Sequence, residues 1–211
     1  MKKDKRKKDK RKIIFLFTVI LLITLFLSQA SLPRQELIAA TIPASKTLNK
    51  NKLTIFVDKS EQLLTIMLDG QPIKTYHAEF GDSGMGDKKI SGDHKTPEGT
   101  FYVCEKSVLS PADEYLGSRW MRLSYPNIED GRRGLKTGLI DKVTYNKIVT
   151  AFNQKKAPPQ HTALGGGVGI HGGSVPEFGS NWTWGCVGLS NKDAEEIYDY
   201  VSIGTPVIIQ R

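Results

Sequence analysis

The sequence predicts a mainly β domain, a sandwich or mixed sheet with two or three helices, over residues 51–211. Three observations predict it. Short runs rich in Val, Ile, Thr, Phe and Tyr recur from Leu53 onward, punctuated by Asp-Gly, Pro-Glu-Gly and Gly-rich segments. Apolar or aromatic residues at 145, 148, 149 and 152 form an i, i+3, i+4, i+7 stripe, the mark of one amphipathic helix over Asp141–Gln154. Ser190 followed by Asp193 opens a second helix, through about Val201, in the manner of a capping box.

In chain order, residues 1–12 carry nine Lys/Arg and two Asp, and Ile13–Leu27 is an apolar run broken only by Thr18 and Thr24. Ser28-Gln29-Ala30 supplies the small residues a signal peptidase favours. Residues 1–30 therefore read as a signal peptide. An uncleaved N-terminal membrane anchor is the alternative, although fifteen residues fall short of the about 20 that span a bilayer. Both readings place the following domain outside the cytoplasmic membrane. Residues 31–50, with Pro33 and Pro43, read as a linker.

Leu53–Val57 and Leu63–Leu68 are expected strands, Asp69-Gly70 a tight hairpin turn, and Lys74–Phe80 a third strand. Gly81–Gly92 is a glycine-rich charged loop, and Thr96-Pro97-Glu98-Gly99 turns the chain into a strand at Thr100–Cys104. Met121–Asn127 reads as a strand ending at Pro126, Pro158-Pro159 stops the first helix, and Val207–Ile209 is the last strand.

Charge and motif content exclude several classes. The formal net charge is +8, yet from Ser31 onward 21 basic residues face 20 acidic ones, so the body lacks the basic stripe that nucleic acid requires. Gly167-Val168-Gly169-Ile170-His171-Gly172 matches G-x-G-x-x-G literally, but Gly173, Pro176 and Gly179 forbid the helix a dinucleotide site needs. His161, His171 and Cys186 match no metal-ligand spacing, so no metal and no cofactor is expected. His77 reads as a strand residue and His94 as a loop residue within reach of a substrate groove. Cys104 and Cys186 read as free thiols, with Cys104 a small hydrophobe on its strand.

The chemistry concentrates at Val168–His171 and Cys186–Leu189, two short expected strands joined by a loop at Ser174–Thr183. A cysteine is a strong nucleophile that needs a base or a depressed pKa, and histidine suits that task at neutral pH. Paired strands lie about 4.8 Å apart, close enough to bring imidazole and thiol together. A lone His and a lone Cys are more often core filler than catalysts. The surrounding glycines, including Gly165-Gly166-Gly167, Gly172-Gly173, Gly185 and Gly188, favour the catalytic reading, because they admit a ligand to the backbone and free N–H groups for an oxyanion.

Ile170-His171-Gly172 and Trp182-Thr183-Trp184-Gly185-Cys186-Val187-Gly188-Leu189-Ser190-Asn191 resemble the catalytic motif of the L,D-transpeptidase (YkuD-type) family, in its Trp-Thr-x-Gly-Cys subgroup. Thr96-Pro97-Glu98-Gly99-Thr100-Phe101 is similar to the segment upstream of that motif. The better-known form of the family has a second histidine before Gly-Cys and an arginine or asparagine two positions after the cysteine. Trp184 and Gly188 stand at those positions here. The resemblance implies an L,D-transpeptidase-type fold and a peptidoglycan tetrapeptide stem as substrate, with an amine of another stem or a wall-linked protein as acceptor. Cys186 would be the nucleophile and His171 the base. Gly172 would orient the imidazole, and the N–H groups of Gly185 and Cys186 would hold the oxyanion. Trp184, Gly173 and Thr183 would contact substrate. Water as acceptor would make the same site an L,D-carboxypeptidase or amidase, and loss of catalysis would leave a peptidoglycan-binding module.

Overall fold

The computed structural model describes residues 49–211; the expected leader and nearly all of the linker lie outside the described residues. One eight-stranded mixed sheet dominates, in the order β3-β2-β1-β8-β4-β5-β6-β7. Its strands are β1 (Leu53–Asp58), β2 (Leu63–Leu68), β3 (Gln71–His77), β4 (Gly99–Asp113), β5 (Gly117–Leu123), β6 (Gly169–His171), β7 (Val187–Gly188) and β8 (Pro206–Gln210). Three α-helices accompany it among the described residues: α1 (Ile128–Lys136), α2 (Lys142–Asn153) and α3 (Asn191–Tyr200). The mainly β expectation holds. Among the described residues no helix is long and apolar enough to cross a membrane.

Period-two burial sets the sheet. In β1, Leu53, Ile55 and Val57 are buried and their neighbours are half-buried, so one face meets the core. β3 starts at Gln71 rather than Lys74, because Asp69 and Gly70 both take positive φ (52° and 75°) and pairing resumes at once after the two-residue turn. β4 runs far beyond Cys104, since its polar second half pairs with β5 as an exposed hairpin that carries no hydrophobic alternation. β5 correspondingly lies at Gly117–Leu123, earlier than the expected Met121–Asn127.

The sheet curls until its ends meet. Glu79 bridges Gly188 and Gly81 bridges Thr183, which joins the chain after β3 to the β7 end. The enclosed core contains Ile55, Leu64, Phe80, Met121, Ile170, Val187 and Ile209, and the α3 residues Ala194 and Ile197 seal it. α1 was not legible beforehand. It packs with α2 around a separate small cluster of Ile140, Ile148 and Leu164.

Candidate active site

β6 and β7 are parallel neighbours, with Ile170 opposite Val187 and His171 opposite Gly188. Cys186 ends the tight Trp182–Gly185 turn that feeds β7. Its carbonyl accepts from the Thr96 and Thr183 hydroxyls at 3.1 and 2.8 Å, which fixes the turn from two sides. The thiol is buried and donates to the Gly167 carbonyl at 3.6 Å. His171 is fully buried; Nδ1 donates to the Gly172 carbonyl at 2.7 Å, leaving Nε2 buried, without a hydrogen-bond partner, and free to act as a base.

Burial dominates the electrostatics of both groups. It pushes the Cys186 thiol up to about 11, against the Gly169 N–H and the charges of Lys88 and Arg122, which favour the thiolate. It pushes the His171 imidazole down to about 4, against the Gly172 carbonyl and the Asp113 carboxylate, which favour protonation. The resting pair is thiol and neutral imidazole, so a proton must move during the chemical step.

Aromatic rings box in the imidazole. Tyr115, Trp120 and Trp182 have centroids 5.7, 5.9 and 5.5 Å from that of His171, Trp182 edge-on. The Tyr115 hydroxyl accepts from the Trp184 N–H at 2.9 Å, and Trp184 stacks on His94 at 5.6 Å. Trp184 is 68% exposed on the rim of a cleft of about 620 Å³ that has Cys186 in its wall.

Several expected roles change. The Gly185 N–H donates to Thr183 Oγ1 at 3.2 Å instead of facing an oxyanion. Thr183 is fully buried and its hydroxyl is committed to the Cys186 carbonyl, so it shapes the turn. Gly173 is likewise buried: at φ +90° its N–H meets Asn191 Oδ1 at 3.1 Å, and a Cβ there would lie 2.3 Å from the Tyr115 carbonyl oxygen. Trp184 and His94 do line the cleft, whereas His77 ends β3 away from it. Cys104 and Cys186 are both unbridged. His161 lines an adjoining cleft of about 660 Å³, and among the described residues no three His, Cys, Asp or Glu side chains cluster as a metal site requires.

Sequence reasoning missed Tyr115, Arg122 and Asn191. Asn191 Oδ1 accepts from the Ser118 and Gly173 N–H groups at 2.9 and 3.1 Å, tying β5 to the segment that holds the imidazole. Its place in Leu189-Ser190-Asn191 was visible, but its bonds are tertiary.

The fold thus places a buried cysteine in the wall of a cleft and a buried histidine on the neighbouring strand. Residues 52–209 match the L,D-transpeptidase catalytic domain, YkuD, and the chain belongs to that family, which acts on peptidoglycan stem peptides. It is similar to the helical cell shape determining protein Pgp2 from Campylobacter jejuni, at 25% identity and a TM-score of 0.52 over 75% of this chain and 47% of that one. It is similar also to Bd1075 of Bdellovibrio bacteriovorus, at 25% identity and a TM-score of 0.50 over 75% of this chain and 48% of that one. The chain thus spans about half the length of these structures. Among curated proteins none matches the sequence.

Proposed function

We propose that this protein is an exported peptidoglycan L,D-transpeptidase of the Trp-Thr-x-Gly-Cys subgroup, working through a thioester on Cys186. One observation carries the reading: a buried thiol and a buried imidazole with a free Nε2 sit at the meeting of adjacent parallel strands, at a cleft. The thiol turns from the Gly167 carbonyl toward Nε2, and its proton passes to His171 as sulfur attacks the carbonyl carbon of the third stem residue. The Cys186 N–H is the remaining candidate for the oxyanion. Collapse breaks the C–N bond, and His171 returns the proton to the departing amine of D-alanine. An acceptor amine then attacks the thioester, gives its proton to His171, forms the new amide and releases the thiol.

A second reading has water as acceptor, giving an L,D-carboxypeptidase or amidase. Gly188 favours it, because at the position where the family's better-known form carries an arginine or asparagine this chain offers no side chain to hold an acceptor. The likeness to a helical cell shape determining protein supports a role in wall remodelling under either reading.

Intact mass of the reduced protein after incubation with a tetrapeptide stem tests the proposal, beside Cys186→Ala. The expected outcome is a covalent adduct on the parent alone, with loss of D-alanine. A new amide when an amine acceptor is present marks the transpeptidase, and a tripeptide regardless of acceptor marks the carboxypeptidase. Stem binding without adduct or D-alanine release would overturn catalysis and leave a binding module.

A further inference from the structure

A row of four residues crosses the sheet beside the cleft. Glu105 pairs with Arg122, Arg122 pairs with Gly169, and the β6–β7 ladder carries the row on to Cys186. Glu105, Arg122 and Cys186 line the same cleft. Gly169 has no side chain, and the Trp120 ring fills the space above it, 2.6 Å from where a Cβ would lie, so an aromatic ring floors the row between guanidinium and thiol. Two strand spacings put the Arg122 and Cys186 backbones about 10 Å apart.

The charged end of this row is held in place. Arg122 Nε donates to Glu105 Oε2 at 2.8 Å, Nη1 donates to Gln160 Oε1 at 3.1 Å, and Cζ lies 5.4 Å from the Trp120 ring centroid. Gln160 is fixed in turn by the Tyr125 and Pro158 carbonyls at 3.2 and 2.7 Å. These bonds occupy two of the five guanidinium N–H groups, and the Arg122 and Glu105 side chains keep 23% and 48% exposure. Lys88, a buried cation that also lines the cleft, is already committed to Asp93 and the Ile90 carbonyl. One cation and one carboxylate with unused capacity therefore stand side by side at a set distance from the nucleophile.

We propose that Arg122 and Glu105 bind the zwitterionic distal end of a diamino dicarboxylic acid in the third stem position, the meso-diaminopimelate type, and so select it over lysine. This rests on the transpeptidase-type reading of the site. Arg122 takes the distal carboxylate and Glu105 the distal ammonium. Four C–C bonds carry the distal α-carbon about 5 Å from the proximal one, over the Trp120 ring that covers Gly169 between Arg122 and Cys186. A lysine stem offers the ammonium alone, and a stem amidated at the distal carboxyl leaves Arg122 without its anion.

Calorimetric titration of the Cys186→Ala protein with synthetic tetrapeptide stems isolates recognition from turnover. The third residue is meso-diaminopimelate, its distal amide, or L-lysine. The diaminopimelate stem should bind at least about tenfold tighter than the other two. Adding Arg122→Met should bring it to the lysine level, while Glu105→Gln should weaken the diaminopimelate and lysine stems together, with circular dichroism confirming that each variant is folded. Equal binding of the three stems, a preference that survives Arg122→Met, or no binding of any stem overturns the proposal. A preference in binding, with no adduct on the parent protein, upholds this subsite and overturns the acyl-enzyme reading.

Discussion

His171 and Cys186 are both held neutral by burial, and that sets the pH behaviour. Depression of the imidazole to about 4 keeps it a free base down to mildly acidic pH, and elevation of the thiol to about 11 keeps it protonated above neutrality. If the site turns over, kcat/KM should stay level between about pH 6 and 9 and fall below about pH 5, as Nε2 takes a proton from solvent. A pH profile tests this, and a bell centred near neutrality would point to a thiolate–imidazolium pair instead. Iodoacetamide should alkylate the free protein slowly at pH 7 for the same reason. Asn191 acts one step removed, through the backbone around Gly172. Asn191→Ala leaves the Ser118 and Gly173 N–H groups without their acceptor, which should cost about 1–3 kcal/mol and lower kcat more than it raises KM. Asn191→Asp keeps the acceptor and should restore most of both, as thermal melts and steady-state kinetics would show. Cys186 and His171 stood out in the sequence as candidates because their chemistry is uncommon and their glycine setting distinctive. Arg122 was not, since an arginine on an expected strand carries no signal until Glu105 and Gln160 stand beside it.

At the scale of elements, α1 shows what a sequence pattern conceals. Ile128–Lys136 contains Gly131 and Gly134, which disfavour an isolated helix, and its charged residues give no sustained apolar stripe. Tertiary packing reverses the balance: a Cβ at Gly134 would lie 2.9 Å from Leu164, so the glycine is what lets the helix approach its neighbour. The start was readable in principle, because Asn127 and Asp130 form a reciprocal capping box. Asn127→Ala should destabilise the protein by about 1 kcal/mol in a denaturant titration. α2 and α3 announced themselves through periodicity and the Ser190–Asp193 cap, and both start where those signals put them.

At the scale of the whole molecule, the closing of the sheet brings the site together. Glu79 accepts from the Asn181 N–H at 2.6 Å and from Ser180 and His77, fastening the loop after His171 to the chain beyond β3. Glu79→Ala should leave those donors unpaired and lower unfolding stability by about 1–3 kcal/mol, with faster hydrogen exchange at Asn181. Unchanged exchange there would show that backbone pairing alone holds the seam. The sequence by itself determined the mainly β class, most strand positions and two of the three helices, and it singled out Cys186 and His171 as candidates, because each depends on local period, turn chemistry or residue type. Only the tertiary structure decided that Thr183 and Gly173 are buried scaffold, that the Gly185 N–H is already taken, and that Glu105 and Arg122 share a row with Cys186. These depend on strand register and on hydrogen bonds between residues tens of positions apart, which no local pattern encodes.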